Sequence, residues 1–561
     1  MANSVRPAAI IGHTLRRVTF FSLVTLTTLI ALGLLVSVFH TDGISPMELL
    51  LLLLYTILFS WICISFWTAL MGFFVILFGR DRWAISRQPA GSLDPTAPPP
   101  RTAILMPIYN EDSERVFSGL RAIHRSLADT GRLDGFDFFI LSDTRDPDVW
   151  VEEELRWQDM VRALDGKGRI FYRNRPENTS RKSGNLEDFC TRWGGHYRYM
   201  IVLDADSIMK GETLVEMVRL MERHPDVALI QTPPIPVNRE SLFARILQFA
   251  SSIYGRMFTA GLNYWQLGES NYWGHNAIIR IQPFLDHCGL PKLPGREPFG
   301  GEILSHDFVE AALLRRAGWE VWLAYDLEGS YEEIPPTLID YAKRDRRWCQ
   351  GNLQHLRLAL SHGFNALSRL HFAMGVMSYA ASPLWLLFLI ATGVAAYLQT
   401  KQELVYFFGE NWIPVWPVSF AVEMTTVLLV TLTMLFLPKG LALLLLLKDG
   451  RLRRAYGGMI KATLSVALET LFSVLTAPVL MLFQTKFVLA ILMRRAVGWP
   501  PQQRGDHMTG LREAALTHGV QTLIGIVAGV LSYQYVPAFF WWFIPVLVGL
   551  VLAIPVSMLS S

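Results

Sequence analysis

The chain has 561 residues, which is more than one domain usually holds, and 51% of them are hydrophobic, with a mean hydropathy of +0.29. This composition is too apolar for a soluble protein of this size, so we expect a membrane protein with a soluble portion. The formal net charge of +3 gives no electrostatic support for a nucleic-acid partner. The four cysteines, Cys63, Cys190, Cys288 and Cys349, have neither metal-ligand spacing nor a disulfide pattern, which indicates thiols in a cytoplasmic portion.

Two apolar runs near the start of the chain, residues 18–39 and 49–78, are each long enough to cross a bilayer. The first run is too long for a signal peptide and has no convincing cleavage site. Arginines flank the outer ends of the two runs, whereas the connection between them has none. The positive-inside rule therefore places the N-terminus, and everything after Arg80, in the cytoplasm.

A Pro-rich tether at residues 89–100 precedes a region with the periodicity of a soluble α/β domain. Alternating strands and helices predict a mainly parallel sheet with right-handed crossovers, an architecture typical of nucleotide-binding domains. Strands are predicted at residues 102–106, 136–141, 170–172, 199–203 and 227–232, and helices at residues 114–129, 151–164, from about 185, and 213–223. The amphipathic, aromatic-rich residues 241–265 are predicted to rest on the membrane interface.

Apolar runs resume at residues 372–398 and 415–447 and close the chain at 516–533 and 537–558. Between them, residues 460–493 contain Glu469, Pro478 and Lys486, so we expect two short spans there, with one span plus an interfacial helix as the alternative. This predicts eight crossings, or seven in the alternative. The predicted domains are a two-span region at 1–80, the tether at 81–100, a cytoplasmic catalytic domain at 101–370 and a region of about six spans at 371–561.

The apolar segment that begins at Tyr199 ends abruptly in two carboxylates, Asp204 and Asp206. We interpret it as a buried strand that delivers both aspartates to the edge of an α/β sheet where ligands bind. Side chains two residues apart on a strand point the same way, so both can reach one hard cation, and such a cation can neutralise a departing diphosphate. The alternative is a strand-end pair that caps the next helix.

Other polar residues are predicted at the same sheet edge. The turn that ends the first strand carries Pro107, Tyr109 and Glu111, and Asp143 follows a second strand, suited to hydrogen-bond a base or ribose. Lys182 precedes the flexible Gly184 and can meet a phosphate. Turn geometry and helix capping are the alternatives for these residues.

Three further groups lie downstream. Gly274, His275 and Asn276 form a polar break between aromatic segments, and Asp307 stands near the start of a helix, where a carboxylate could be a general base or only a helix cap. Arg344, Arg347, Trp348 and Gln350 lie in a basic run ahead of the third apolar run, which could bind a sugar and diphosphate or anchor the chain to headgroups.

In chain order, Asp143, the Asp204-Ala205-Asp206 pair, Ser305-His306-Asp307 and Arg347-Trp348 resemble the D, DxD, (T/E)xD-like and QxxRW motifs of membrane-embedded family 2 glycosyltransferases, such as cellulose and hyaluronan synthases. Residues 106–112, 272–278 and 344–355 are most similar to the synthases of osmoregulated periplasmic glucans in Gram-negative bacteria. The resemblance covers nearly the whole chain and implies a GT-A type α/β domain, which binds a nucleotide sugar, inserted between transmembrane helices.

The resemblance also implies a role for each residue. Asp143 and Asp204 would contact UDP, Asp206 together with Asp204 would bind Mg²⁺ or Mn²⁺, and Asp307 would be the catalytic base. Pro107, Tyr109, Glu111, Lys182, Arg344 and Arg347 would complete the donor site, and Trp348, Gly274, His275, Asn276 and Gln350 would hold the acceptor. Two residues depart from the motifs, because Arg344 replaces the glutamine of QxxRW and His306 replaces a glutamate beside the base.

The function implied is an inverting, processive transfer from UDP-glucose that builds a β-1,2-linked glucan and passes it across the bacterial inner membrane. Its partners would be UDP-glucose, the growing glucan and the bilayer, and no nucleic acid; whether acyl carrier protein or a periplasmic glucan-modifying protein is required stays open. One alternative is a transferase that adds one sugar to a lipid carrier. The non-enzymatic alternative, a transporter or receptor that binds sugar nucleotides, is opposed by the small number of charges in the spans.

Overall fold

A computed structural model describes residues 7–39, 44–79, 81–88, 100–401, 421–495, 505 and 507–561. Arg80, most of the predicted Pro-rich tether and the start of the predicted run at 415–447 therefore lie outside the described residues. Ten strands are described in this part of the chain: β1 (Thr102–Ile108), β2 (Phe136–Ser142), β3 (Ile170–Asn174), β4 (Tyr199–Val202), β5 (Ile208–Met209), β6 (Val227–Gln231), β7 (Ile235–Pro236), β8 (Ala277–Arg280), β9 (Glu320–Leu323) and β10 (Ser330–Glu332).

The helices of the α/β domain are α3 (Ser113–Ala128), α4 (Pro147–Ala163), α5 (Arg181–Trp193), α6 (Gly211–Arg223), α7 (Leu242–Gln266), α8 (Ile281–His287), α9 (His306–Arg316) and α10 (Leu338–Ala359). The flanking helices are α1 (Pro7–Phe39), α2 (Pro46–Phe78), α11 (Ala366–Thr400), α12 (Ala421–Lys448), α13 (Gly450–Ala455), α14 (Met459–Leu492), α15 (Leu511–Tyr535), α16 (Pro537–Val551) and α17 (Ala553–Ser560).

The main sheet has seven strands in the order β3-β2-β1-β4-β8-β6-β9, and every neighbouring pair is parallel except the two that involve β8. The predicted mainly parallel sheet is therefore confirmed. Because β8 runs against β4, with Ala277 opposite Val202, the residues that precede β8 lie at the same edge as the residues that follow β4. This single reversed strand brings residues 274–276 to the aspartates.

Both faces of the sheet are covered, which explains why its strands are almost continuously apolar. On one face, Ile104 and Ile201 pack with Phe117 of α3 and Leu214 of α6. A second cluster on the other face contains residues of the same strands together with helices α5, α8 and α9. The sheet is thus rigidly held, and the polar residues at its edge rest on a packed core.

The predicted amphipathic segment 241–265 forms α7, and this helix packs closely on the apolar helix α2. The crossing depends on glycine: a Cβ atom on Gly261 would overlap the carbonyl oxygen of Thr68, and a Cβ on Gly72 would overlap that of Met257. At its start, Ser241 Oγ donates a hydrogen bond to Pro336 O at 2.5 Å, which ties α7 to the α/β domain. The domain and the apolar helices are therefore joined by direct packing.

Six described helices are long and apolar enough to cross a membrane by length and composition, and the bent pair α16 and α17 would be a seventh. The prediction of two short spans at 460–493 was wrong, because these residues form one continuous helix, α14. Pro478 is accommodated inside the helix, and Lys439 neutralises Glu469 at 2.7 Å. The charged and proline residues that suggested an interruption therefore do not break the helix.

The two ends of α14 both contact helices that are fixed to the α/β domain. Near its start, Met459 packs in a cluster that contains Ile253 of α7. Near its end, Gln484 Nε2 donates to Asp345 Oδ2 of α10 at 2.8 Å, and Asp345 Oδ1 also accepts from Tyr379 of α11 at 2.9 Å. This arrangement places α14 along the domain-facing side of the helical bundle.

Candidate active site

Lys182 connects two of the predicted groups at the carboxyl edge of the sheet. It lies in the first turn of α5, and its Nζ forms an ion pair with Asp204 Oδ1 and donates to the carbonyl oxygen of Gly274 at 2.7 Å. The backbone N–H of Asp204 donates to Ser207 Oγ at 3.0 Å, which fixes the turn after β4. One cation thus holds the DxD turn against the loop that precedes β8.

Asp307 lies beside that loop. It is in the first turn of α9, and a Cβ atom on Gly274 would be 3.2 Å from Asp307 Oδ2. Gly274 has φ +94°, a conformation that favours glycine. The backbone conformation and the small space beside Asp307 therefore both favour glycine at this position. Burial raises the pKa of Asp307 and Glu310 adds to this, while His306 and Lys182 oppose it. The sequence prediction placed these residues in one site, and the structure brings them together.

His306, the departure beside the base, pairs with a residue on its own helix. Its Nδ1 lies 2.8 Å from Glu310 Oε1, one helical turn away. Burial disfavours the imidazolium, but the Glu310 carboxylate outweighs it, and the pKa of His306 is raised. The surroundings of His306 therefore favour its protonated form next to Asp307.

Asp143 is buried, and its carboxylate is already engaged. Arg175 donates to both of its oxygens, with Nε to Oδ1 and Nη2 to Oδ2 at 2.7 Å each. Arg175 Nη2 also donates to the carbonyl oxygen of Arg181 at 3.0 Å, next to Lys182. The sequence analysis did not identify Arg175. Through Arg175, Asp143 helps to shape the loop that leads to Lys182. The contact of Asp143 with UDP stays a prediction.

The turn after β1 is fastened to the loop after β2 by Asn110. Its Oδ1 accepts from the backbone N–H groups of Arg145 and Asp146 at 3.0 and 3.2 Å. On either side of it, Pro107 is half-buried, Tyr109 is exposed and Glu111 is half-buried. The predicted donor-site turn therefore lies at the same edge as Asp143, held in place by a residue that the sequence prediction did not single out.

The basic run forms part of α10, and its side chains differ in how far they are exposed to solvent. The guanidinium of Arg344 lies over the ring of Trp348, 4.4 Å from its centroid, and Trp348 is 45% exposed, so part of this indole remains accessible to a sugar. Arg347 is half-buried, whereas Gln350 is only 3% exposed. Trp348 is thus the better placed of the two predicted acceptor ligands in this helix.

Asn276 was predicted to contact the acceptor, and its placement argues against this. The side chain is fully buried, and its amide donates to Ser330 Oγ at 2.8 Å and to Tyr331 O at 3.2 Å. It joins the start of β8 to β10 and so has a structural role. The sequence could not reveal this, because β10 follows it by more than fifty residues.

Glu332 is a further acidic residue at the site that the sequence prediction missed. Its Oε2 lies 3.4 Å from His275 Nε2. Burial raises the pKa of Glu332; His275 and Arg344 oppose this rise, and the negative charges of Asp206 and Asp204 add to it. Three carboxylates therefore share this part of the site, where only two were predicted.

The donor set fits a hard divalent cation. Asp204 and Asp206 supply carboxylate oxygens, which Mg²⁺ and Mn²⁺ prefer, and their charges add to the rise that burial causes in the pKa of Glu332. No group of three or more His, Cys, Asp or Glu side chains is arranged to hold a metal among the described residues. Such an ion would therefore need ligands from water or from a bound diphosphate.

Two family models match this part of the chain. Residues 103–287 match the model of glycosyl transferase family 2, and residues 199–447 match that of glycosyl transferase family group 2. The α/β domain thus matches glycosyl transferase family 2 models and has the predicted GT-A type fold. This match agrees with the predicted class of enzyme.

Individual proteins with similar sequences indicate a more specific group than the family models do. The chain is 52% identical over 512 residues to glucans biosynthesis glucosyltransferase H of Pseudomonas aeruginosa (strain LESB58), and 53% identical to the proteins of the same name from Pseudomonas putida and Pseudomonas entomophila. The alignments cover 91% of this chain and 59% to 60% of those relatives. The predicted resemblance to glucan synthases is confirmed, and the chain spans about three fifths of the length of the relatives it matches.

Proposed function

We propose that the protein is an inverting, processive glucosyltransferase that uses UDP-glucose to extend a β-1,2-linked glucan and passes the product across the inner membrane. The observation that carries this proposal is the bridge made by Lys182. It joins Asp204, at the donor side, to the Gly274 loop, and the carboxylate of Asp307 lies against that same loop. The proposed donor group and the proposed base therefore both lie beside this one loop. The relatives are named as glucosyltransferases, which supports glucose as the transferred sugar.

The reaction is a single displacement. Asp307 accepts the proton of the acceptor hydroxyl as that oxygen attacks the anomeric carbon of the donor. The new C–O bond forms while the bond from the anomeric carbon to the diphosphate oxygen breaks, so the configuration inverts and UDP leaves. Lys182 and Arg347 would offset the charge that develops on the diphosphate.

Asp206 and Asp204 would hold a Mg²⁺ or Mn²⁺ ion, which when bound supplies further neutralisation of the diphosphate. The protein side chains themselves would position the donor. Lys182 keeps Asp204 turned toward the Gly274 loop, and Tyr109, Glu111 and Asp143 lie at the neighbouring strand ends, where the nucleotide would extend.

On the acceptor side, the exposed ring of Trp348 offers a stacking surface for the terminal sugar, and Arg344 packed against it limits its rotation. On the side of the base, the Gly274 loop lies against Asp307, and the neighbouring His275 lies 3.4 Å from Glu332. The domain side of the helical bundle would face the cytoplasm, where UDP-glucose is made, and the product would leave through the bundle.

The test uses the purified full chain with radiolabelled UDP-glucose and Mg²⁺, and the product is digested with glucanases specific for each linkage. A polymer degraded by a β-1,2-glucanase is expected from the wild type, and its formation by the chain alone would mean that neither acyl carrier protein nor a periplasmic partner is needed for polymerisation. Asp307→Asn should reduce transfer by roughly 10²- to 10⁴-fold. A product with a single added sugar would contradict processivity, and near wild-type transfer by Asp307→Asn would contradict the assignment of the base.

A further inference from the structure

A basic cavity lies away from the site described above, where α14 ends beside the α/β domain. It has a volume of about 320 Å³ and is lined by Gly295, Pro298 and Phe299 together with three arginines, Arg296, Arg357 and Arg494. The three arginines come from three separate segments: the loop before α9, the end of α10, and the residue that follows the last turn of α14. Their convergence is therefore a product of the tertiary fold and not of a local basic run.

Within the part of the chain that the structure describes, no acidic side chain pairs with the positive charges of this cavity. Among the described residues, none of the three arginines makes an ion pair with a carboxylate within 4.0 Å. Arg357 instead uses Nη1 to donate to two carbonyl oxygens, Pro294 O at 2.5 Å and Phe299 O at 3.3 Å. Guanidinium groups gathered without an acidic partner favour an external anion, and their planar donors suit phosphate oxygens.

The surroundings of the cavity indicate a lipid as the source of that anion. The last turn of α14 exposes Leu489, Leu492 and Met493, which are 48%, 58% and 64% exposed and immediately precede Arg494. Large apolar side chains next to a cationic group are typical of a helix end at the level of lipid headgroups. A phospholipid could place its acyl chains on these residues and its phosphate among the arginines.

We propose that this cavity binds the headgroup phosphate of an anionic phospholipid, and that the bound lipid holds the loop that carries the catalytic base. Gln354 of α10 accepts a hydrogen bond from Leu304 N–H at 3.0 Å and donates to Glu302 O at 3.1 Å, while Arg357 fastens the start of the same loop. This loop runs directly into Asp307. An anion shared by Arg296, Arg357 and Arg494 adds a third attachment between the loop and the helices.

The test measures lipid binding directly, so it does not depend on the proposed glucosyl transfer. The full chain in mild detergent is titrated with phosphatidylglycerol or phosphatidylcholine, and bound lipids are counted by native mass spectrometry. The wild type should retain phosphatidylglycerol in preference to phosphatidylcholine. The double variant Arg296→Gln/Arg494→Gln should bind it about 30-fold more weakly, since each juxtamembrane arginine contributes about a factor of five.

A matched control removes the same charge elsewhere at the membrane. Arg451 and Arg454 are exposed residues of the short helix α13, and Arg451→Gln/Arg454→Gln should leave phosphatidylglycerol binding unchanged. An equal loss of phosphatidylglycerol binding in both double variants would mean that general surface charge causes the binding, and it would overturn the proposal. So would wild-type binding by the first variant, or displacement of the lipid by millimolar inorganic phosphate, which would identify a free anion as the ligand.

Hydrogen exchange then tests the link to the base. In nanodiscs that contain phosphatidylglycerol, amides of residues 294–305 should exchange more slowly than in nanodiscs of phosphatidylcholine alone, and Arg296→Gln/Arg494→Gln should abolish the difference. Both double variants should show the same apparent unfolding temperature as the wild type, because all four arginines are exposed. Exchange that is insensitive to the lipid would contradict the coupling while leaving the binding result intact.

Discussion

At the scale of single residues, the environment of Asp307 determines when the proposed base can act. Burial raises its pKa, and Glu310 adds to this, whereas the cations His306 and Lys182 lower it. A base must be deprotonated, so the rate should fall as the pH falls through this raised pKa, at a higher pH than for an ordinary aspartate. His306 and Lys182 therefore favour the ionised form of Asp307 that the proposed mechanism needs.

Replacing Lys182 tests that dependence. Lys182→Gln removes one of the two cations that lower the pKa of Asp307, so the acidic limb of the pH–rate profile of kcat should move to higher pH. The rate at the optimum should also fall, because Lys182 contacts Asp204. Lys167→Gln, which changes an exposed lysine at the end of the α4–β3 connection, should leave the limb in place. A limb that stays fixed or moves to lower pH in Lys182→Gln would show that another group controls it.

Arg175 provides a second prediction at this scale. Its side chain and that of Asp143 are each 7% exposed, so Arg175→Met would leave a buried carboxylate without its partner. We expect a loss of about 3–5 kcal/mol in the free energy of unfolding, measured by chemical denaturation of the detergent-solubilised protein. The double variant Asp143→Asn/Arg175→Met should recover part of it. Arg162→Met breaks an exposed pair with Asp159 and should cost less than about 1 kcal/mol; a similar loss in both single variants would contradict the assigned burial.

The site residues that could be predicted are those marked by local sequence signals, whereas residues positioned by distant segments could not be predicted. Asp204, Asp206 and Asp307 stand directly after an apolar strand or at a helix start, and both signals are local. Arg175 and Glu332 lie in loops and short strands with no periodic signal, and they reach the site only through pairing of distant segments. The hydrogen bonds of Asn276 to β10 could not be predicted for the same reason, because these partners are distant in the sequence.

At the scale of elements, the crossing of α2 and α7 fixes the domain on the helical bundle. Helix α7 was predictable from its amphipathic pattern, but the close approach of Gly72 and Gly261 was not, since each glycine matters only when the other helix is in place. The interruption predicted inside α14 failed for a related reason. Glu469 is compensated by Lys439 of α12, and a partner on another helix cannot be read from local composition.

Substituting the crossing glycine should separate the two helices. Gly261→Ala would place a methyl group where the carbonyl oxygen of Thr68 lies, and a backbone atom cannot move aside without shifting α2. We expect a destabilisation of about 1–3 kcal/mol, seen as a lower apparent unfolding temperature in detergent. Gly255→Ala is the matched control on the same helix: its added methyl would have Ser251 Oγ at 3.6 Å, an ordinary contact, and should be neutral or slightly stabilising. Equal stability of the two variants would mean that α7 does not pack on α2 in this way.

At the scale of the whole molecule, the helices fall into two groups by the contacts of their ends. In α1, Arg17 pairs with Glu269, which follows α7 of the α/β domain, and near the end of α2 the carbonyl oxygen of Leu77 accepts a hydrogen bond from Lys448 at the end of α12. α14 differs, since its start packs near Ile253 and its end reaches Asp345. A helix of this kind would follow the membrane surface under the domain, and the chain would then cross the membrane six times if α16 and α17 together count as one span.

Cysteine labelling of intact cells tests this arrangement. All four native cysteines are buried, so the background should be low. Ile44→Cys, between α1 and α2, should react with a maleimide that cannot cross the inner membrane, whereas Lys167→Cys in the α/β domain should react only after permeabilisation. Arg454→Cys and Arg495→Cys, which flank α14, should both behave like Lys167→Cys, because both ends of this helix face the domain. Labelling of only one of the two in intact cells would mean that α14 crosses the membrane, and the product path would then have to include it. Labelling of Lys167→Cys without permeabilisation would reverse the orientation of the domain and remove the cytoplasmic supply of UDP-glucose on which the proposed function depends.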